Sequence, residues 1–352
     1  MSTRITHPLS RALARLLRIA VALVITAIVL ITAAQQFGRF GPWWLELSRY
    51  VPYPAVLAPA AIVLLLSFRF GRAWVLASAA ALALVLTLGM GLVWGRPDPA
   101  REGDTPVRLM TYNSKAYLAV QRRDGFAKLA AEVALQRPEI LVMQDAYGAR
   151  GALLDLPTTL GPGSDLSHVY AAGQYVVASR FALRDCAQGR IDYRGEDHRY
   201  VRCVVDVNGV ATTLVTAHFE SPRLGLNAAR REGLDGVDEW RQNYEDRLGQ
   251  AKALARDLAG SARPLIVAGD LNAPESSPVI RSLLAIGLRD AFSSAGRGYG
   301  YSYGQALRVG FSFLRIDHIL LSPEVGVARC FAGNGEASEH RPVIADLLLR
   351  RP

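Results

Sequence analysis

Lysine is absent and acidic residues are nearly so in the first hundred residues of this 352-residue chain. That stretch holds nine arginines against only Glu46 and Asp98, a net charge of +7. Of the chain's 40 basic and 31 acidic residues, 31 and 29 therefore fall beyond residue 100, where the net charge is only +2. The overall +9 thus gives no support for a polyanion substrate, because binding one takes several Lys/Arg–phosphate contacts. Cysteine is scarce as well: Cys186, Cys203 and Cys330 have spacings that make no zinc motif. A Cys186–Cys203 bridge across neighbouring strands and buried free thiols both remain open. Internal repeats and low-complexity segments are lacking.

What the first hundred residues do have is apolar length. Ile19–Ala34 is uncharged and extends to Phe37, Val51–Phe68 carries Pro52, Pro54 and Pro59, and Ala73–Trp94 is uncharged throughout. A membrane-spanning helix takes roughly 20 such residues, and none of these runs shows a polar face. The expectation is a membrane anchor over residues 1–95 with about three transmembrane helices (19–37, 51–68, 73–94), the middle one shortened or kinked by its prolines. Arg4, Arg11, Arg15 and Arg18 precede the first run and Arg69 and Arg72 fill the second loop, which places both on the cytoplasmic side. Cleavage of the first run as a signal peptide after Thr32-Ala33-Ala34 is the competing reading. Either way, the expected location is a bacterial inner membrane with everything after Trp94 on its extracytoplasmic side. The bilayer is then a partner; the oligomeric state is unread.

Residues 96–106 (RPDPAREGDTP) read as a polar linker to a domain at 107–352. VRLMTY (107–112), EILVMQ (139–144), QYVVASR (174–180), YVRCVVDV (200–207), ATTLVTAHF (211–219), RIDHILLS (315–322) and PVIADLLL (342–349) read as strands. Asn208-Gly209 signals a hairpin, a long polar helix covers about 235–258, and Ser277-Pro278 opens another helix. Several strands are apolar at every position, so both faces are covered. With hairpins present, the expected class is α+β: a four-layer α/β/β/α sandwich of two packed mixed sheets flanked by helices.

The stretch LIVAGDLN (265–272) raises the functional question. A dry strand ending in Asp270 and Asn272 is either a turn or a site where costly polar groups find partners. Other strands finish alike: VRLMTY at Asn113, EILVMQ at Asp145, TTLVTA at His218, while Asp317 lies in RIDHILLS and Glu339-His340 precedes PVIADLLL. Gathered on one rim, these oxygen-rich groups suit a hard cation, Mg²⁺ or Mn²⁺, better than zinc.

The motifs TYN (111–113), QD (144–145), AH (217–218), GDLN (269–272), RID (315–317) and SEHRPV (338–343) occur in an order that resembles the endonuclease/exonuclease/phosphatase superfamily. The resemblance implies metal-assisted hydrolysis of a phosphate ester by in-line attack of water, with a nucleic acid, a phospholipid or a small phosphodiester as substrate. It implies metal ligation by Asp145, Asn113 and Glu339. Asp270 would orient and deprotonate the water, Asn272 would hold a phosphate oxygen, His340 supported by Asp317 would stabilise phosphoryl charge, and His218 would act near the leaving group. Two positions depart from the family pattern: Asp145 stands where Glu is usual and Glu339 where Asp is usual. A reciprocal exchange that preserves the carboxylates is one reading, and a binding module that has lost turnover is the other. Lys115 is either a solvated lysine or one that reaches a phosphate, His168 and His198 read as surface residues, His318 as a packed histidine, and Arg180 as a non-catalytic brace for the site. The segment RGYGYSYG (297–304) is either a substrate-contacting loop or a connection.

Overall fold

The computed structural model describes residues 8–37, 41–148 and 165–350 apart from 196 and 234. Arg4 lies outside the described residues. The chain divides into two compact units, Met1–Leu92 and Val93–Pro352.

The first unit is helical. α1 (Pro8–Phe37) is a continuous 30-residue helix, followed by α2 (Trp43–Ser48), α3 (Pro54–Ser67) and α4 (Arg72–Leu84), which continues as a π-helical turn to Gly89. Among the described residues, two stretches are long and apolar enough to cross a membrane, Arg11–Phe37 and Arg72–Gly89. The middle run falls short of the expected span. Its helix starts at Pro54 and has 14 residues, about 21 Å at 1.5 Å per residue, against a hydrocarbon core of roughly 30 Å. The third run also stops early, because Val93–Trp94 forms a strand instead.

In the second unit, the first sheet has the order β13 (Val325–Ala332), β14 (Val343–Leu349), β2 (Thr105–Asn113), β3 (Ile140–Gln144), β5 (Tyr175–Ser179), β4 (His168–Ala172). The second runs β10 (Arg289–Asp290), β12 (Asp317–Leu321), β9 (Leu265–Asp270), β8 (Val210–His218), β7 (Arg199–Val207), β6 (Leu183–Arg190). Each sheet is antiparallel except for one central parallel pair, β2 with β3 and β8 with β9. Short β1 (Val93–Trp94) pairs with β11 (Arg297–Gly298).

The continuous apolar runs follow from this layering. Val107 and Leu109 of β2 and Ile140 and Val142 of β3 join the inter-sheet core with Val205, Leu214, Ile266 and Ile319 of the second sheet. The alternate residues Met110, Tyr112, Leu141 and Met143 pack with Leu129 and Val133 of α6 (Gly125–Gln136) on the outer face. On the other side, the 24-residue α8 (Asp235–Leu258) is tied to the second sheet: Tyr200 of β7 donates to Asp257, and Arg247 donates to the Asn272 carbonyl at 2.9 Å. The result is an α+β sandwich of two mixed sheets with flanking helices.

Several local expectations hold. Asn208 and Gly209 have φ of 50° and 88°, matching the two-residue hairpin turn between β7 and β8. Ser277 caps α9 (Pro278–Leu284) by accepting from the Val279 amide at 3.2 Å. Cys186 and Cys203 form a disulfide joining β6 to β7, and Cys330 is buried and free. The linker expectation fails at its start. Asp98 exchanges backbone and side-chain bonds with Val327 at 2.9 Å and is ion-paired with Arg289, so this segment is part of the sandwich.

Candidate active site between the two parallel strand pairs

Asp270 ends β9, and register fixes its neighbours: His218 of β8 lies opposite on one side and Asp317 of β12 on the other. Gly269 makes this packing possible, because a Cβ there would meet the Ala217 carbonyl oxygen at 2.0 Å. The first sheet supplies Asn113 at the end of β2 and Asp145 just beyond β3. Gln144 ties the sheets together at this level, donating to Thr216 at 2.8 Å and to Thr111 at 3.2 Å.

Asp270 is 1% exposed and is the hub. Its Oδ2 accepts from Asn113 Nδ2 at 2.8 Å and lies 3.5 Å from His218 Nε2 and 3.7 Å from His340 Nε2. Its Oδ1 accepts from the Asn272 amide at 3.0 Å. Asn272 has φ of 51° and donates its side-chain amide to the Phe219 carbonyl at 2.9 Å. Asn272 thereby braces the turn that presents Asp270.

Both imidazoles are anchored at Nδ1. His340 contacts Asp317 Oδ2 at 2.9 Å, and His218 contacts Gln174 Oε1 at 2.6 Å. With an acceptor at Nδ1, each ring donates there and turns Nε2 toward Asp270. Burial works against the charged form of His340, but Asp317 and Asp270 outweigh it and raise its pKa. Burial, aided by the charge of Asp270, pushes the Asp317 carboxyl up despite His340.

Asp317 Oδ1 is buried without a hydrogen-bond partner. Asp270, Asp317 and His340 offer ligand atoms all within 4.8 Å of one another. Two carboxylates, one imidazole and an orphaned oxygen fit a divalent cation. The cluster is not the expected ligand set. Of that set, Asn113 reaches it through Asp270, whereas the other two carboxylates have protein cations on them. Lys115 Nζ lies 2.5 Å from Asp145 Oδ2, and Arg223 Nη2 lies 2.7 Å from Glu339 Oε2. Burial opposes the charged form of Asp145, but His218 and Lys115 prevail and lower its pKa. Lys115 and Asp145 both sit in the left-handed region, φ 44° and 48°, costing about 1–2 kcal/mol each.

Lys115 is buried against Asp145, which removes the solvated reading of it. Other functional neighbours escaped sequence reasoning. Arg223, at the start of α7 (Arg223–Arg231), also donates to Tyr303 at 2.7 Å, and the Tyr303 ring lies 4.7 Å from that of His340. The Tyr-rich segment thus reaches the site through Tyr303. Gln174 left no signal. Arg180 is exposed and paired with Glu139 at 3.0 Å, at the opposite end of β3 from Asp145, so it does not brace the site. His318 is buried between Asp290 and the Ala273 carbonyl, as a packed histidine should be. His168 is exposed and His198, beside Gln250, is half-buried.

Residues 110–340 match the family model described as Endonuclease/Exonuclease/phosphatase family. Similar solved structures include an endonuclease/exonuclease/phosphatase from Bacteroides vulgatus (TM-score 0.52, 20% identity, 70% of this chain and 100% of that one). TDP2 from D. rerio complexed with a single-strand DNA product is another (0.53, 15%, 69% and 99%). A third is an endonuclease/exonuclease/phosphatase from Beutenbergia cavernae (0.51, 18%, 70% and 72%). Among curated proteins, none matches. At these identities the structural likeness speaks for the fold, and the family model covers most of the chain: it belongs to the endonuclease/exonuclease/phosphatase family.

Proposed function

We propose that the second unit is a metal-dependent phosphoesterase that hydrolyses its substrate by in-line attack of water. The observation that carries this reading is the convergence on Asp270 of Asn113, His218 and His340, each within 3.7 Å of one buried carboxylate oxygen. Asp270, Asp317 and His340 would hold a hard cation of the Mg²⁺ or Mn²⁺ type, whose chemistry there is neutralisation of charge on the phosphoryl oxygens. Asn113 and the Asn272 amide aim Asp270, which orients the attacking water and receives its proton. Asp317 fixes the His340 ring. His218, locked by Gln174, presents Nε2 where a leaving-group oxygen can take a proton. Lys115 and Arg223 add positive charge at the rim.

The chain is further proposed to be membrane-anchored through its apolar helices, with the sandwich on the extracytoplasmic side. The Cys186–Cys203 disulfide supports an oxidising compartment. The substrate class favoured is a phospholipid headgroup over nucleic acid, because the net charge beyond residue 100 is small and an anchor keeps the site near lipid.

The test is hydrolysis by the full chain in detergent micelles with Mg²⁺ or Mn²⁺, offered a chromogenic phosphodiester, a phospholipid or DNA. Turnover that vanishes with EDTA and in Asp270→Asn supports the enzyme, and the preferred substrate decides the class. Silence with every metal and substrate would leave a non-catalytic binding module. A reporter fused after Pro106 tests the topology; activity confined to the cytoplasm overturns the export reading.

A further inference from the structure

Two of the four carboxylates brought to this cleft have a protein cation placed on them. Lys115 and Asp145 are nearly enclosed, with side chains 14% and 13% exposed. The loop that carries them is locked on both sides of the pair: the Ser114 amide donates to the Gln144 carbonyl at 3.0 Å and the Ala116 amide to the Asp145 carbonyl at 2.9 Å. The Tyr117 ring lies 5.8 Å from Lys115 Nζ. Glu339 is 18% exposed and takes Arg223 at 2.7 Å, while that guanidinium is also held by Tyr303. By contrast, the only unpartnered carboxylate oxygen among the buried, described ones at the cleft is Asp317 Oδ1.

We infer that Lys115 and Arg223 are built-in counter-cations of Asp145 and Glu339. They take the place of metal charge on that side of the cleft and confine the divalent ion to Asp270, Asp317 and His340. The inference rests on the phosphoesterase reading for its purpose, but not for its test. A compact ammonium held at 2.5 Å by a carboxylate occupies the volume an ion would need, and adding a dication beside it is opposed by like charge. Both cations still have donors to offer: a lysine ammonium has three N–H groups and a guanidinium five. The spare donors suit the non-bridging oxygens of a phosphate group. The chain thereby trades part of its metal requirement for fixed organic charge, and the Asp145 and Glu339 departures from the family pattern belong to that arrangement.

The experiment is Mn²⁺ titration of the metal-stripped full chain in detergent micelles, counting bound ions by electron paramagnetic resonance, with no turnover measured. The expected wild-type result is one ion per chain, lost in Asp317→Asn and changed less than about twofold in Asp145→Asn. Lys115→Met should free Asp145, either adding a second ion or tightening Mn²⁺ binding about tenfold, and Asp145→Asn in that background should cancel the gain. Inorganic phosphate should bind Lys115→Met about tenfold more weakly, the scale of one charge-assisted hydrogen bond. Lys115→Arg keeps the charge and should behave as wild type, and thermal unfolding checks that each variant is folded. Asp145→Asn alone abolishing Mn²⁺ binding would overturn the inference, and so would an unchanged ion count and affinity in Lys115→Met. A chain that binds Mn²⁺ as expected yet hydrolyses nothing would refute the phosphoesterase reading and leave this one standing.

Discussion

In the cleft, Asp145 and Glu339 each face an ammonium or a guanidinium, and Asp145 shares the His218 imidazole with Asp270. On the side carrying Asp270 and Asp317, the partners are amides and imidazoles, and one oxygen has none. Asp145 and Asp270 sit at the ends of the two central parallel pairs, while Glu339 precedes antiparallel β14 and Asp317 begins antiparallel β12. The fold therefore brings acids to one place twice, and local side chains decide what each pair is for. Charge satisfied internally makes a rigid wall; charge left short of partners makes a site that stores binding energy at a cost in stability.

The largest effect should come from the hub. Asp270→Asn removes the proton acceptor and one ligand charge, so hydrolysis should fall by about 10³–10⁴-fold. A comparable loss from Asp145→Asn would erase the distinction between the two sides. Steady-state rates on the preferred substrate check both variants.

Stability should separate the sides by sign. Asp145 has a lowered folded-state pKa, so it contributes stability above its unfolded value, near 3.9, and loses it as pH falls through the folded value. Asp317 has a raised one, so its ionised form is disfavoured at neutral pH and the penalty is relieved as pH falls. In metal-stripped protein, Asp145→Asn should therefore destabilise at pH 7 by about 1–3 kcal/mol, with the loss shrinking below about pH 4, whereas Asp317→Asn should gain stability relative to wild type as pH rises. Denaturant unfolding from pH 3 to pH 7 measures this, and the same pH trend in both variants would break the comparison. Behind the site, buried Asp290 is held well below the usual carboxylate range by Arg315 and His318 against the penalty of burial. Asp290→Asn should cost about 3–5 kcal/mol at neutral pH, the scale of breaking a buried pair, and flatten the acid limb of the stability curve.

LIVAGDLN shows how far sequence reasoning reached. Its abrupt end is both a turn and a site: Asn272 has a turn conformation, Gly269 admits the Ala217 carbonyl, and Asp270 collects partners from three other segments. The main strands were legible because their apolar runs fill two faces at once. β6 was not, since LRDCAQGR is a half-exposed edge strand with no alternation. The shortening of the middle apolar run was legible in its prolines, and its helix starts only at Pro54. The pairings of Lys115 and Arg223 stayed hidden for another reason. Their partners lie 30 and 116 residues away, and a charged residue in a string carries no mark of the charge it will meet.

The finest test of the comparison is Tyr303. Its hydroxyl oxygen accepts from Arg223 at 2.7 Å, and its ring packs against His340, so it touches both sides of the cleft. Tyr303→Phe removes the oxygen and keeps the ring. Arg223 then has Glu339 as its remaining partner in this network, and a net hydrogen bond of about 1 kcal/mol is lost. If the wall is preassembled, phosphate affinity should weaken about fivefold with Mn²⁺ binding unchanged, because the ion's ligands lie on the other side. A parallel drop in Mn²⁺ affinity would mean that Tyr303 acts through His340 instead, and that the two sides work as one.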